Sequence, residues 1–467
     1  MLANLFSVEL WERFSYYGMQ VVVLLYMYFK VSDGGLGIDF DIAAGIIGAY
    51  GGTVYLCTIL GAWVADRLLG PERVLFYSAI MIMSGHIALA VLPGVPGLAI
   101  GLILVGIGSG GLKASATSLV GSLYDRDDDR RDAGFSIFYM GVNIGALFGP
   151  LLTGLTRDYL GFHFAFGLAA VGMAIGLFQY AATRKNLPGE AHRVANPLPR
   201  GKFKRVGGIA AAGLVLIILS VVTGAVTPAN LAAVVAGVAI VAAVIYFAVI
   251  LSSKGIDHVE RQRVYSFIPM FIASAAFFSL FQQQFTVVTL YADKRLDRTI
   301  FGWQMPIEWV QSINPIFIIL LAPLFALAWT KLGARQPITP LKFAMGLAVM
   351  GLAILAFIPL AGGGPNSTPL LAIIGILFLF TVAELMISPV GLSLSTKLAP
   401  RIFQTQMVAL NFLSVSLGTA LSGVLAGFYD PKDEIPYFSV IGVVAIIMAV
   451  ALAMSVKPIK KLMSGVH

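Results

Sequence analysis

Glu9, Glu12, Arg13, Lys113 and Glu384 are charged residues set inside long apolar stretches of the chain. The first three lie in "ELWERFSYY", which runs on through "GMQVVVLLYMYF" to Phe29. At 100° per residue Glu9, Glu12, Arg13, Tyr16 and Gln20 share one stripe of a helix, with Tyr17 beside it. Glu9 and Arg13 form an i,i+4 pair, and Glu12 is close to both. Two carboxylates sharing one guanidinium leave a surplus negative charge, which a proton neutralises at little cost. That is the chemistry of a proton switch; a static ion pair with snorkelling side chains is the simpler alternative.

Lys113 follows "GIGSGGL" with no other charge between Leu98 and Leu119, and Glu384 is equally isolated in "LFLFTVAELMISPVG". Charge at bilayer depth costs at least about 2.5–3.5 kcal/mol per residue, so each calls for a partner or a ligand. A salt bridge between Lys113 and Glu384 is one solution. A zwitterion is another, its carboxylate drawn to Arg13 and Lys113 and its amine to Glu384. Such a ligand would replace the bridge, which is the differential binding that alternating access requires. Tyr55, Asn143, Gln282, Gln283, Gln284, Asn314 and Asn411 are uncharged polar groups within apolar segments that could read a polar backbone. Singly, each is more often an interhelical hydrogen bond.

The elements that position these residues follow from composition. The chain of 467 residues is 58% hydrophobic and 12% charged, against about 25% charged in soluble domains. It therefore reads as an all-α polytopic membrane protein. With a ruler of about 20 apolar residues per span, spans fall near 5–29, 42–65, 74–93, 96–121, 134–156 and 161–182. Two more fall near 206–224 and 229–252. The last six fall near 265–292, 306–330, 339–360, 369–396, 404–428 and 436–456. This six-two-six plan gives an N-terminal bundle over 1–183, a basic linker over 184–205, two additional helices within 206–264 and a C-terminal bundle over 265–467. Two bundles with a site at their interface is the layout of the major facilitator class. The central pair carries no charge within its spans and reads as a lipid-facing hairpin. The spacings Gly106/Gly110 and Gly141/Gly145/Gly149 allow helices to approach closely.

Loop charge gives orientation. One side holds Arg67, Arg73, Arg126, Arg130, Arg131, the linker "RKNLPGEAHRVANPLPRGKFKR", Lys254, Arg261 and Arg263, and later Lys331, Arg335, Lys342, Lys397, Arg401, Lys457, Lys460 and Lys461. The other holds Lys30, Arg157, Lys294, Arg295, Arg298 and Lys432. Both termini are expected in the cytoplasm. The net charge of +8 is spread over short loops, so no nucleic-acid partner is expected.

The single cysteine, Cys57, gives no internal disulfide, and the absence of Lys or Arg before Arg13 is unlike a signal peptide. There is no HExxH pair, no GxSxG and no phosphate-binding loop, so no enzyme, metal site or cofactor is expected. Histidines 86, 163, 192, 258 and 467 are scattered and read as loop or helix-end residues. The run "YDRDDDRRD" at 124–132 reads as a solvated loop.

Several motifs together resemble the bacterial proton-coupled oligopeptide transporters of the major facilitator superfamily, over nearly the whole length. "ELWERFSYYG" resembles the family's Glu-x-x-Glu-Arg motif with paired tyrosines. "GAWVADRLLGPER" is similar to its second-helix signature, and "FYMGVNIGALFGP" to its Phe-Tyr-x-x-x-Asn-x-Gly signature. "GSGGLKA" places Lys113 at the fourth-helix lysine, and "AELMISPVG" places Glu384 at the tenth-helix acid. The resemblance implies proton-driven uptake of di- and tripeptides across the bacterial inner membrane by a multi-pass protein working as a monomer, with no cofactor beyond the proton gradient. It implies that Glu9, Glu12 and Arg13 couple to protons. Arg13 and Lys113 would serve the peptide carboxylate and Glu384 the amine. Tyr16, Tyr17, Tyr55, Asn143 and Asn314 would line the pocket, with Gln282, Asn411 and Ser414 from later helices.

The chain departs from the family pattern in particular places. In "SLFQQQF" Gln282 stands where the family usually has an acid, and glutamine carries no exchangeable charge. Gln20 stands where many members have a second arginine, seven residues after the motif's own. In "LNFLS" Asn411 replaces a usual tryptophan, and Phe278 another. These changes leave open a modified peptide or another small zwitterion as cargo.

Overall fold

The computed structural model describes residues 2–123, 130–187, 189–194 and 196–465, and nearly all of them are helical. The chain divides into two compact units, Met1–Val234 and Val235–His467. Thirteen of the described helical segments are long and apolar enough to cross a membrane. The remaining predicted span is α1 (Leu2–Tyr28), whose 27 residues are about 40 Å long at 1.5 Å per residue and carry the Glu9/Glu12/Arg13 cluster. The charged run at 124–129 and His467 lie outside the described residues.

In the first unit α1 is followed by α2 (Phe40–Val64), α3 (Pro71–Val91), α4 (Gly94–Ser122), α5 (Arg130–Leu160), α6 (Phe162–Thr183) and α7 (Phe203–Val222). A helix end leaves carbonyls without partners. At the end of α1 the chain doubles back, and Leu36 N–H and Ile38 N–H donate to the carbonyls of Tyr26 and Met27. α1 packs on α5 and α6, α2 on α4, and α3 on α4 and α6. The small residues singled out in the sequence make the α1–α5 contact: a Cβ at Gly145 would sit 2.3 Å from the Leu10 carbonyl oxygen and 2.9 Å from Arg13 Cβ. One at Gly149 would sit 2.4 Å from the Phe14 carbonyl oxygen. The Thr153 hydroxyl then lies within hydrogen-bond distance of the carbonyls of both Gly18 and Gly149, its one hydrogen shared between them. In α4, Gly110 takes the backbone and Cβ of Cys57, and Gly111 faces Gly61; Gly106 makes only ordinary contact with the Tyr50 ring. α7 buries none of its residues.

One feature of this unit differs from expectation. His86 is neither in a loop nor at a helix end. It lies within α3, fully buried, with no hydrogen-bond partner for either ring nitrogen among the described residues; the apolar run simply continues through it. Residues of the basic linker are docked on this unit. Glu72, at the start of α3, takes Arg184 Nε at 2.6 Å and lies 3.3 Å from His192 Nδ1. Asn196 and Leu198 N–H groups donate to the carbonyls of Asp66 and Arg67. Leu187, Ala191 and Leu198 are buried beneath this strap.

The second unit takes in most of α8 (Leu231–Ser252), then α9 (His258–Phe281), α10 (Val287–Arg295), α11 (Ile313–Leu332), α12 (Thr339–Leu355), α13 (Leu370–Lys397), α14 (Gln404–Ala426), α15 (Glu434–Met454) and the short α16 (Val456–Leu462). α9 packs on α14, α12 on α13 and α15, and α11 on α13. The span expected near 265–292 begins earlier and is broken. Asp257 and Glu260 form a capping box that starts α9 at His258, and such a box satisfies two otherwise free N–H groups. After Phe281 the chain tightens into a 3₁₀ turn, Gln282–Phe285, before Thr286 leaves helical geometry at φ −128°, ψ −88°. Between α10 and α11 a small hairpin, β1 (Thr299–Ile300) and β2 (Trp303–Gln304), turns through Phe301 and Gly302, both at positive φ.

One end of this unit is tied by Glu434. Its Oε1 lies 3.3 Å from Arg295 Nε and accepts from the Tyr429 hydroxyl at 2.7 Å, while Oε2 accepts from Gly362 N–H at 3.1 Å. Burial and the bond to Glu434 push the Tyr429 hydroxyl well up from its ordinary range, so it remains a donor throughout the physiological range. Replacing Gly145 by Ala is expected to push α1 from α5 and lower the melting temperature by several degrees, as an overpacking cost of about 1–3 kcal/mol requires. Gly213→Ala on α7, where a Cβ meets nothing within 4 Å, is expected to leave it unchanged. A thermal melt of each variant by fluorescence-detected size exclusion checks both.

Candidate functional site

The polar stripe of α1 faces the interior of the first unit. Glu9, Glu12, Arg13, Tyr16 and Gln20 are all buried, and Glu12 is wholly inaccessible. Arg13 Nε lies 2.5 Å from Glu12 Oε2 and 3.2 Å from Glu9 Oε1. The carboxylates thus meet the same edge of the guanidinium. Glu9 Oε2 and Arg13 Nη2 have no hydrogen-bond partner among the described residues. The rings of Tyr16 and Tyr17 lie 5.2 and 6.0 Å from the guanidinium carbon, within reach of a cation–π attraction. Tyr16 also stacks on Tyr50 of α2, at 5.9 Å and 23°. The buried Tyr50 hydroxyl and Gln20 Oε1 have no hydrogen-bond partner among the described residues.

α4 brings two groups to this stripe. Lys113 Nζ sits 4.2 Å from the centroid of the Tyr55 ring, where an aromatic face eases the cost of an ammonium away from water. The Gly110–Cys57 and Gly111–Gly61 approaches hold α2 and α4 close enough for that contact. Four residues before Lys113, the buried Ser109 hydroxyl donates to Glu12 Oε1 at 2.9 Å. The sequence reading passed over Ser109. The available signal was its i,i+4 spacing from Lys113, which puts both on one face of α4. Asn143, on α5 between Gly141 and Gly145, donates to its own helix at the Tyr139 carbonyl, 2.9 Å away.

In the second unit Asn314 and Glu384 are brought together. Asn314 Nδ2 donates to Glu384 Oε2 at 3.2 Å and to Thr381 Oγ1 at 3.0 Å. Thr381 is a further residue that the sequence did not single out. Pro389 interrupts α13 five residues after Glu384; it has no N–H for the Leu385 carbonyl, so the helical ladder is weakened beside the acid. Of the three glutamines in "FQQQF", Gln283 donates to the Ser279 and Ser422 carbonyls. Gln284 has its carbonyl taken by Thr289 and Gln311. Both side chains are buried, and Gln282 is the partly exposed one. Asn411 is also partly exposed, with Oδ1 against Gly391 two turns along α13 from Glu384. Ser414 is buried in the α9–α14 contact, 2.8 Å from Ser274 Oγ.

A bundle of membrane-length helices that buries one arginine between two carboxylates, in one unit, and an isolated acid on a weakened helix, in another, has the parts of a secondary transporter. The comparisons place it further. The family model described as the POT family matches residues 72–444, and the chain belongs to that family. A di-/tripeptide transporter of Lactococcus lactis subsp. cremoris is 38% identical over 482 residues, covering 100% of this chain and 97% of that protein. A crystal structure of a peptide transporter POT in complex with sulfate is 43% identical, with a TM-score of 0.95, over 99% of this chain and 96% of that one. A crystal structure of a POT family transporter in complex with 5-aminolevulinic acid is 36% identical, with a TM-score of 0.92, over 98% and 96%. The chain is therefore an all-α, multi-pass membrane protein of the major facilitator type.

Arg13→Leu leaves two buried carboxylates facing each other, and breaking a buried pair costs about 3–5 kcal/mol. It is expected to lower the melting temperature strongly. Adding Glu9→Gln or Glu12→Gln should recover part of the loss, and a double-mutant cycle on purified protein measures how much.

Proposed function

We propose that this protein is a proton-coupled symporter that takes up di- and tripeptides by alternating access across the bacterial inner membrane, with both termini in the cytoplasm. It works as a monomer and needs no cofactor beyond the proton gradient. The observation that carries the reading is the buried Glu9–Arg13–Glu12 cluster with one carboxylate more than its arginine balances. The di-/tripeptide transporter at 38% identity across the whole chain supports the choice of cargo.

Charge counting links the proton to the peptide. With both glutamates ionised, Glu9, Glu12, Arg13 and Lys113 sum to zero. A peptide carboxylate drawn to Lys113 and Arg13 would add a negative charge where water cannot screen it, and one proton on the glutamate pair restores neutrality. The peptide amine is met by Glu384, which Asn314 holds in place. Tyr16, Tyr17, Tyr55 and Asn143 from the first unit, and Gln282, Asn314, Asn411 and Ser414 from the second, complete the set assigned to the peptide. A second reading keeps the fold and coupling but takes a small zwitterion or a modified peptide. Gln20, Gln282 and Asn411 favour it, and the related transporter in complex with 5-aminolevulinic acid is consistent with it.

Proteoliposomes with an acidic exterior are expected to accumulate a labelled dipeptide or tripeptide. If a broad peptide panel gives no proton-dependent uptake while 5-aminolevulinic acid enters, the second reading replaces the first. Glu12→Gln is expected to abolish gradient-driven accumulation and to spare counterflow exchange; full accumulation in that variant would remove Glu12 from the coupling step. Lys113→Ala and Glu384→Ala are each expected to weaken peptide affinity about tenfold or more, the scale of a hydrogen bond to a charged group. Calorimetric titration that finds both affinities unchanged would refute the zwitterion assignment.

A further inference from the structure

The Ser109 hydroxyl joins the acid of α1 to the helix that carries Lys113. Threonine hydroxyls in these helices turn back on their own helix, as Thr58, Thr117 and Thr381 do toward the carbonyl four residues earlier. Ser109 instead spends its hydrogen on Glu12 Oε1 of a different helix. Both groups are at 0% exposure, so water cannot substitute for either partner.

Resting on the proton-symport reading, we infer that Ser109 is a positioning residue that transmits the charge state of Glu12 to α4 and so to Lys113. A hydroxyl can both donate and accept. Facing an ionised carboxylate it donates, in a charge-assisted bond stronger than a neutral one. When Oε1 carries a proton, that proton becomes the donor and the Ser109 hydrogen must turn away. The natural alternative is the carbonyl four residues earlier on α4, the bond that Thr117 already makes on the same helix. The α1–α4 link is thus strong in one charge state of Glu12 and weak in the other. Lys113 lies one helical turn away on the same face of α4, so a change in how α4 is held at Ser109 acts on Lys113 through a rigid element.

The groups that face this bond are all drawn into the same equilibrium. From α1 they are Glu9, Arg13 and Tyr16; from α2, Tyr50; and from α4, Lys113 itself, with Tyr17 and Tyr55 beside Arg13 and Lys113. Arg13 approaches Glu12 at Oε2 and Ser109 at Oε1. Removing Ser109 therefore leaves the ion pair in place and removes only the contact with α4.

Ser109→Ala deletes one oxygen and adds no bulk. In proteoliposomes it is expected to keep peptide counterflow, which needs no net proton movement, within about twofold of wild type. Gradient-driven accumulation is expected to fall about tenfold, with a shifted pH profile, the scale set by one hydrogen bond to a charged group. Ser109→Thr, which restores the hydroxyl, is expected to recover the pH profile. An unchanged profile and full accumulation in Ser109→Ala would overturn the inference. Equal loss of counterflow and accumulation would overturn it too, because that pattern marks a packing role. Infrared titration of the carboxyl stretch, assigned with Glu12→Gln, needs no substrate. Its midpoint is expected to move by about one pH unit in Ser109→Ala, and an unmoved band would count against Ser109 whatever the cargo. If wild type transports no peptide yet the band moves, the fault lies in the peptide reading and not in the Ser109–Glu12 link.

Discussion

A charge inside a membrane-spanning helix must be neutralised by the protein itself, and in the first unit most of the local architecture follows from that demand. At about 2.5–3.5 kcal/mol or more per buried charge, Glu9, Glu12 and Arg13 together would strain the insertion of α1 as an isolated helix. Their mutual contacts at 2.5 and 3.2 Å offset much of the cost, but only if water and lipid are kept away. Gly145 and Gly149 do this on one side, letting the α5 backbone lie against α1 at Arg13 and Phe14. On the other side, α4 closes over Glu12 through Ser109. The small residues and the charges are thus parts of one arrangement: without side chains at those glycines the helices meet, and because they meet the cluster stays dry.

The molecule contains two kinds of buried ionic centre, and their hydrogen bonds tell them apart. Glu434 has both oxygens engaged, by Arg295, Tyr429 and the Gly362 N–H. That centre joins the end of α10, the loop before α13 and the start of α15. The Glu9–Arg13–Glu12 centre is different. Among the described residues Glu9 Oε2 and Arg13 Nη2 are buried without hydrogen-bond partners, and an unmet polar group in low dielectric is costly to leave so. One centre is satisfied on both carboxylate oxygens and the other carries that residual cost.

How much of this was legible in the sequence depended on the range of the interaction. Span positions follow from runs of apolar residues, so helices such as Leu370–Lys397 and Gln404–Ala426 fall within a few residues of expectation. The Glu9–Arg13 pairing is local, and i,i+4 geometry was enough to find it. The early start of α9 was also readable, since Asp257 and Glu260 have capping-box spacing, but the hydropathy ruler ignores polar caps. The break at Thr286 was not readable. It accompanies Gln283 and Gln311 binding carbonyls on other segments, and such partners are invisible in one dimension. Ser109–Glu12, 97 residues apart, and the docking of Arg184, His192, Asn196 and Leu198 on the α2–α3 turn escaped for the same reason. Hydropathy says which residues are in the membrane, and it does not say which of them touch.

The break in the α9–α10 segment gives the substitution at Gln282 its meaning. Gln283 and Gln284 are buried, and the Gln283 amide is committed to the Ser279 and Ser422 carbonyls. Gln282 opens the turn and remains partly exposed. It is therefore the one glutamine of the three whose amide can meet another molecule, by donating or accepting a hydrogen bond but not by exchanging a proton. A carboxylate at the same place would carry a charge needing its own compensation; an amide does not. Among the described intramembrane residues of the second unit singled out by the sequence, that leaves Glu384 as the acid, oriented by Asn314, whose amide Thr381 also fixes. In the first unit Ser109 and Arg13 hold Glu12 from opposite oxygens.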